Sequence, residues 1–179
     1  SLLNEYDAAL TGDLELKSET GGLFNSTGQG TITQLMLKRG PLFLRNQGPM
    51  ELTTKNGLGT FKNFKLVGDQ TSIELSGDQV SQNNLNSKIK GQLNLRIAQV
   101  FLPFLEDLNG NIDFTSQVNG ELLKPQILGN AKVQNGFVKI KGFPHPFEKI
   151  NSDIQFSHSR IIFNRIQSQF ASGSLTGDG

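Results

Sequence analysis

Apolar and polar residues alternate one by one along most of this chain. The longest run alternates Leu85, Ser87, Ile89, Gly91, Leu93, Leu95 and Ile97 with Asn86, Lys88, Lys90, Gln92, Asn94 and Arg96. Successive side chains of a β-strand point to opposite faces of a sheet, so this period places the apolar residues on one face and the charges on the other. The pattern predicts half-buried antiparallel strands.

Similar alternation recurs in nearly every segment, and short turn signals of the Gly-Pro and Asn-Gly type separate the segments. We therefore predict an all-β fold: a single elongated, strongly curved, mostly antiparallel sheet. Within it, Asn135-Gly136 is flanked by alternating residues on both sides, which is typical of a two-residue hairpin with a type I′ turn.

One segment departs from the alternation. Apolar residues recur there at the spacing of one helix face, at Ile97, Val100, Phe101, Phe104, Leu105 and Leu108. Pro103 lies inside the segment, and proline is tolerated only in the first turn of a helix. The spacing predicts one short helix between Ile97 and Leu108, ending before Asn109-Gly110.

Charge and composition exclude several classes of function. The chain has 17 Lys and Arg against 16 Asp and Glu, a net charge of +1, and no apolar run reaches the roughly 18 residues of a membrane-spanning helix. With no Cys and two His, thiol chemistry, a Cys-ligated zinc site and a nucleophile-histidine pair lack their parts. We expect a non-enzymatic domain without cofactor or metal, and no binding of nucleic acid.

Glycine, proline and apolar residues follow a regular spacing in the second half of the chain. The residues of this string are Val118, Gly120, Leu122, Pro125, Ile127, Gly129, Ala131, Val133 and Gly136, and Ile150 to Phe156 and a Gly-rich finish at Ser172 to Gly177 follow. This string resembles the TamB family, the periplasmic subunit of the translocation and assembly module, within the AsmA-like group. Residues 91–179 carry the better match and residues 1–90 a looser one, so residues 1–179 are expected to be one TamB-like domain, a fragment of a longer chain that spans the periplasm.

The resemblance implies a sheet curled into an open trough, often called a β-taco, with an apolar inner surface. The full-length protein would be anchored in the inner membrane. The trough would guide phospholipid or nascent outer-membrane β-strands towards the outer membrane, together with an outer-membrane barrel subunit.

The alternation and this resemblance together give a set of residues expected to line the trough. They are Leu14, Leu16, Leu52, Phe64, Leu66, Ile73, Leu75, Ile89, Leu93, Leu95, Ile112, Phe114, Val118, Ile127, Val133, Val138, Ile140, Ile154 and Phe156.

The same residues also suit a closed core. A structural β-sandwich or adhesin-like repeat, with a protein-binding edge, is therefore the alternative interpretation. Within the trough hypothesis, a lipid conduit needs only the inner face, whereas a strand chaperone would also use unpaired backbone groups at the sheet edges.

Overall fold

A computed structural model describes residues 7–18, 26–39, 42–55, 58–81, 84–99, 102–121, 124–157 and 160–179. Twelve strands in these ranges form one antiparallel sheet, which confirms the all-β prediction. The strands are β1 (Asp7–Ser18), β2 (Ser26–Arg39), β3 (Leu42–Asn46), β4 (Met50–Lys55), β5 (Leu58–Gly68), β6 (Thr71–Val80), β7 (Leu85–Asn94), β8 (Leu105–Glu121), β9 (Lys124–Ile140), β10 (Phe147–Ser157), β11 (Arg160–Phe170) and β12 (Gly173–Gly177).

The strands pair in the order in which they occur along the chain. β3 and β4 share one position in the sheet, because both pair with β2 on one side and with β5 on the other. Among the described residues β1 and β12 are the two outer strands. This arrangement is a single meandering sheet rather than the two packed sheets of a sandwich.

Cross-strand register gives the sheet one apolar face. Residues directly opposite each other in an antiparallel pair share a face, and Leu75 lies opposite Ile89, while Leu93 lies opposite Ile112. The intervening positions, such as Lys88 and Lys90, are exposed on the other side. We call these two surfaces the apolar face and the polar face.

Glycines on the apolar face show the direction in which the sheet bends. At five of them a Cβ atom would meet the carbonyl oxygen of a residue on the paired strand, and a Cβ on this face points to the apolar side. The pairs of glycine and carbonyl are Gly12 with Thr31, Gly28 with Glu15, Gly68 with Phe43, Gly91 with Ser72 and Gly129 with Thr115. At these five positions the neighbouring strand therefore lies towards the apolar side, and the sheet bends towards that side there.

The predicted helix is much shorter than expected. Helix α1 comprises Arg96–Gln99, and Leu105 and Leu108 belong to β8 instead. Val100 and Phe101 lie outside the described residues. Both leucines are buried on the sheet, at 7% and 5% exposure, so tertiary pairing with β9 overrides the helical spacing. The prediction was right about one short helix and wrong about its extent.

The predicted hairpin at Asn135-Gly136 is wrong. Strand β9 continues through both residues from Lys124 to Ile140. Asn135 has the positive φ (49°) that the pattern requires, but the conformation makes a bulge inside a long strand rather than a turn. Positive φ also occurs at Gly110 of β8 and Lys149 of β10, and the pairing register shifts near all three positions.

These three bulges lie on neighbouring strands and form a crease across β8, β9 and β10. Gly110 and Gly136 approach each other so closely that a Cβ on Gly110 would be 2.7 Å from the Gly136 Cα. The Asn151 side chain joins two of the bulges, because its Oδ1 accepts from the Asn135 N–H (3.2 Å) and its Nδ2 donates to the Lys149 carbonyl (2.9 Å).

Candidate functional site

The apolar face carries two continuous rows of cross-strand neighbours from β5 to β11. One row is Phe64, Leu75, Ile89, Ser116, Gly129, Phe156 and Ile161, and the other is Leu66, Ile73, Gly91, Phe114, Ala131, Ile154 and Phe163. We call them the central rows. With neighbouring strands about 4.8 Å apart, each row is about 29 Å long.

The predicted trough residues that lie in strands all share the apolar face. They are Leu14 and Leu16 on β1, Leu52 on β4, Phe64 and Leu66 on β5, Ile73 and Leu75 on β6, Ile89 and Leu93 on β7, Ile112, Phe114 and Val118 on β8, Ile127, Val133, Val138 and Ile140 on β9, and Ile154 and Phe156 on β10. Leu95 lies just beyond the end of β7, where its N–H donates to the Gly110 carbonyl (2.8 Å). That these residues line a trough for cargo stays a prediction.

Large side chains lie over glycines within the central rows. The Phe114 ring would be 3.2 Å from a Cβ on Gly91, and the Phe156 ring 2.6 Å from a Cβ on Gly129. A ring that covers a glycine on the neighbouring strand fills the space left by the missing side chain. The Phe114 and Phe156 rings therefore occupy space that Gly91 and Gly129 leave open in the central rows.

Exposure rises from the middle of the apolar face to its two ends. Val133 in β9 is 8% exposed and Met50 in β4 is 1% exposed, whereas Leu14 in β1 is 60% and Ile161 in β11 is 66% exposed. In the middle, the curvature lets side chains of one sheet cover each other. Towards β1 and β12 the apolar face is open to solvent.

A groove of about 290 Å³ lies on the apolar face between β9 and β12. Its lining residues are Val138, Phe147, Ile150, Ile166, Ser168, Leu175 and Thr176, and we call it the β9–β12 groove. The Phe147 ring contacts the Phe170 ring at a tilt of 33°, with centroids 4.8 Å apart, and the His145 ring meets Phe170 edge-on at 5.9 Å.

Sequence analysis missed most of this groove, and Val138 is the one lining residue that it predicted to lie in the trough. Ile161 and Phe163 alternate on the apolar face, but the register shifts between Asp153 and Ile154 of the partner strand, and Ile166 continues the face out of phase. A bulge of this kind breaks a simple period-2 count. The change of phase between Phe163 and Ile166 was the available signal.

Lysine side chains donate hydrogen bonds to loop carbonyls at the same end of the sheet as the β9–β12 groove. The Lys139 ammonium donates to the carbonyls of Phe143 (2.8 Å) and Pro144 (3.2 Å). The Lys141 ammonium donates to the Pro103 carbonyl (2.7 Å), which joins the loop after β9 to the segment before β8. The rim of the sheet at this end is thus held by hydrogen bonds to charged groups, which are stronger than neutral ones.

Charges of opposite sign alternate across the polar face. Lys65, Glu74 and Lys90 are successive cross-strand neighbours, and the Lys90 Nζ lies 3.1 Å from the Glu74 Oε1. A second row continues as Asp113, Lys132, Asp153 and Arg165. Except for Arg165, the residues of these rows line a wide groove of about 810 Å³ together with amide side chains such as Gln92 and Asn130. This groove is chemically unlike the apolar face.

Comparison of the chain with protein-family models, curated proteins and solved structures gives no match. Within the ranges that the structure describes, no group of three or more His, Asp or Glu is placed to hold a metal ion. The described part of the chain also contains no helix with the length and hydropathy of a membrane span.

Proposed function

We propose that this chain is a TamB-like periplasmic segment whose concave apolar face guides phospholipid or nascent outer-membrane β-strands between the inner and outer membranes. It would act with the outer-membrane barrel subunit of the translocation and assembly module, and the full-length protein would be anchored in the inner membrane.

The observation that carries this proposal is the extent of the apolar face. It has large apolar side chains at every strand position from β1 to β12, with buried hydroxyls such as those of Ser87 and Ser116 among them, whereas a domain built only to fold would cover such a face with a second layer. Moving apolar cargo onto it gains roughly 25 cal/mol per Å² of apolar surface buried. The resemblance of residues 91–179 to the TamB family supports the same conclusion from the sequence.

Leu93 provides a test that separates an open face from a closed core. Its side chain is half-buried on the apolar face beside Ile112. We expect Leu93→Asp to stay folded, because a hydrated concave face can solvate a carboxylate, and to lose cargo contact. The measurements are urea unfolding and photo-crosslinking from a benzophenone amino acid placed at Ile89, in cells that express the full-length protein.

The matched control is Asn86→Asp, which places the same charge on the exposed polar face of the same strand, opposite the uncharged Gln79 and Asn119. It should leave both stability and crosslinking to phospholipid or outer-membrane proteins unchanged. If Leu93→Asp unfolds the domain by several kcal/mol while Asn86→Asp does not, the carboxylate is buried without a partner and the face is a closed core.

A second candidate function is an adhesin-like module with a protein-binding edge. The observation in its favour is β1, an outer strand of 12 residues with Leu10 and Leu14 exposed by 68% and 60%. An unprotected edge of this kind can accept a strand from another protein. Under this alternative, Leu14→Asp would abolish partner binding, and crosslinking from Ile89 would yield no cargo.

A further inference from the structure

We propose that Asn109 is a site of spontaneous covalent modification, at which the Gly110 nitrogen closes a succinimide ring and converts the asparagine into aspartate or isoaspartate. The observation that carries this inference is a hydrogen bond between the two reacting groups. The Gly110 N–H donates to the Oδ1 of Asn109, the residue before it (2.9 Å). The inference is independent of the proposed function, because it concerns the chemistry of β8 itself.

The reaction needs only the chain, a base and water. Hydroxide removes the Gly110 amide proton, and the nitrogen attacks the Asn109 Cγ. The N–Cγ bond forms, the Cγ–Nδ2 bond breaks, and Nδ2 takes a proton from water and leaves as ammonia. Water then opens the ring at one of its two carbonyl carbons. Opening at Cγ gives aspartate, and opening at the backbone carbonyl carbon gives isoaspartate, whose main chain has one more carbon.

The backbone at Gly110 holds the reacting groups together. Because Oδ1 is bonded to Cγ, the hydrogen bond keeps the carbon that is attacked beside the nitrogen that attacks it, which favours ring closure. The neighbouring strand β7 ends at Asn94, and the Leu95 N–H donates to the Gly110 carbonyl (2.8 Å). The Gly110 N–H does not return a bond to Leu95 but donates to the Asn109 side chain.

The site is also open to water and lies at an irregular point of the strand. Asn109 is exposed, so hydroxide reaches it from solvent. Gly110 has a φ of 118°, and the register between β8 and β9 shifts beside it. An interrupted ladder rearranges at lower cost than a regular one, so the ring can close without opening a long stretch of β8.

Two other Asn-Gly pairs lie in the described ranges, and both are less suited to the reaction. Asn119-Gly120 is also in β8, but Gly120 pairs with Leu85 in a register that runs unbroken to the end of β7. In Asn135-Gly136 the glycine is buried, and its strand lies between β8 and β10. Both pairs must open locally before the nitrogen can attack. The structure therefore selects Asn109 among identical dipeptides.

Isoaspartate at this position would disturb the crease across β8, β9 and β10. Gly110 lies so close to β9 that a single added Cβ would be 2.7 Å from the Gly136 Cα. An extra main-chain carbon just before Gly110 therefore has little room. Aspartate keeps the original main chain, and an exposed carboxylate changes stability little. The isoaspartate product should thus weaken the pairing of β8 with β9, whereas the aspartate product should not.

The test compares the three Asn-Gly pairs within one sample. The 179-residue protein is incubated over a series of neutral to alkaline pH values, once in buffer and once in urea that unfolds it. Peptide mapping by mass spectrometry gives the rate of deamidation at each asparagine, and electron-transfer fragmentation separates isoaspartate from aspartate. In the folded protein we expect Asn109 to react at least about tenfold faster than Asn119 and Asn135, which must first open locally. All rates should rise with pH, and in urea the three should converge.

Substitutions separate the effect of the extra carbon from that of the charge. Asn109→Gln, whose longer side chain would form a larger ring that closes slowly, should abolish both the modification and the loss of urea stability on ageing. Asn119→Gln is the matched control in the same strand and should abolish neither. Asn109→Asp has the charge without the extra carbon, and it should unfold at the same urea concentration as the fresh protein.

Three outcomes overturn the inference. Equal rates at the three asparagines of the folded protein would mean that the hydrogen bond to Gly110 selects nothing. Reaction of Asn109 in urea alone would mean that the folded arrangement is unreactive. If fresh Asn109→Asp is as unstable as the aged protein, the charge and not the extra carbon weakens the sheet.

Discussion

At the scale of single residues, the apolar face depends on glycines as much as on large side chains. Gly91 and Gly129 leave room for the Phe114 and Phe156 rings of a neighbouring strand and for a carbonyl of the paired strand. The bending of the sheet and the packing of these rings therefore depend on the same glycines. A side chain at either position would interfere with both.

Gly91→Ala should destabilise the domain by about 1–3 kcal/mol, the usual cost of overpacking. The added Cβ would meet the Ser72 carbonyl oxygen and lie 3.1 Å from the Ile73 Cα, and backbone atoms cannot move aside cheaply. The measurement is urea unfolding followed by circular dichroism.

Gly173→Ala is the control on the same face, because its Cβ would meet only the Phe170 carbonyl, at 3.6 Å. It should leave stability within about 0.5 kcal/mol of the original protein. Equal effects of the two substitutions would mean that replacing any glycine lowers the free energy of unfolding by this amount, and that the close approach at Gly91 is not the cause.

At the scale of strands, charge pairs on the polar face add to the register that the apolar face already specifies. Asp113, Lys132, Asp153 and Arg165 alternate in sign on four adjacent strands. Opposite charges directly across a strand pair contribute roughly 0.2–1 kcal/mol, and like charges cost similar amounts. A slip by one residue would also move every apolar side chain to the wrong face.

Lys132→Glu should destabilise the sheet by about 1 kcal/mol, because it places a carboxylate between those of Asp113 and Asp153. Lys88→Glu makes the same change between Ser76 and Gln117, which are neutral, and should have little effect. Since both positions are exposed, raising the salt concentration to about 1 M should shrink the difference in urea stability between the two variants. A difference that does not respond to salt would rule out charge repulsion as the cause.

Sequence patterns correctly predicted most strands and the face on which their side chains lie. They failed where one local sequence signal is compatible with two different backbone structures. Alternation placed residues such as Ile89 and Leu93 correctly because a period of two has one geometric meaning. Asn135-Gly136 signals positive φ, but a turn and a bulge both need positive φ, and only the pairing of β9 with β8 and β10 decides between them. Leu105 and Leu108 fit a helix by spacing, and contacts with β9 put them in a strand. The β9–β12 groove was missed for the same reason, since a bulge changes the phase of Ile166.

At the scale of the whole molecule, the middle and the ends of the sheet differ in what covers them. β8 has a paired strand on each side and β1 has one. An outer strand leaves every second N–H without a backbone partner, so the sheet should loosen from its outer strands inward.

Hydrogen exchange should therefore be slowest in β7, β8 and β9, and fast at alternate amides of β1. Mass spectrometry or NMR at low protein concentration would measure it residue by residue. Uniform protection along β1 would contradict the free edge and would mean that another strand covers it. Repeating the measurement across a range of protein concentrations would show whether that strand comes from a second copy.

Apart from the position that β3 and β4 share, the strands pair in chain order, so the length of the apolar surface increases with the number of strands. A layered core has a fixed thickness, but here each added strand lengthens the apolar surface by about 4.8 Å and leaves its cross-section unchanged. Each strand also depends only on its immediate neighbours, as repeats do in a solenoid. Gain or loss of one two-stranded hairpin would change the length of the apolar surface by about 10 Å. Evolution can therefore adjust this length in steps of one hairpin.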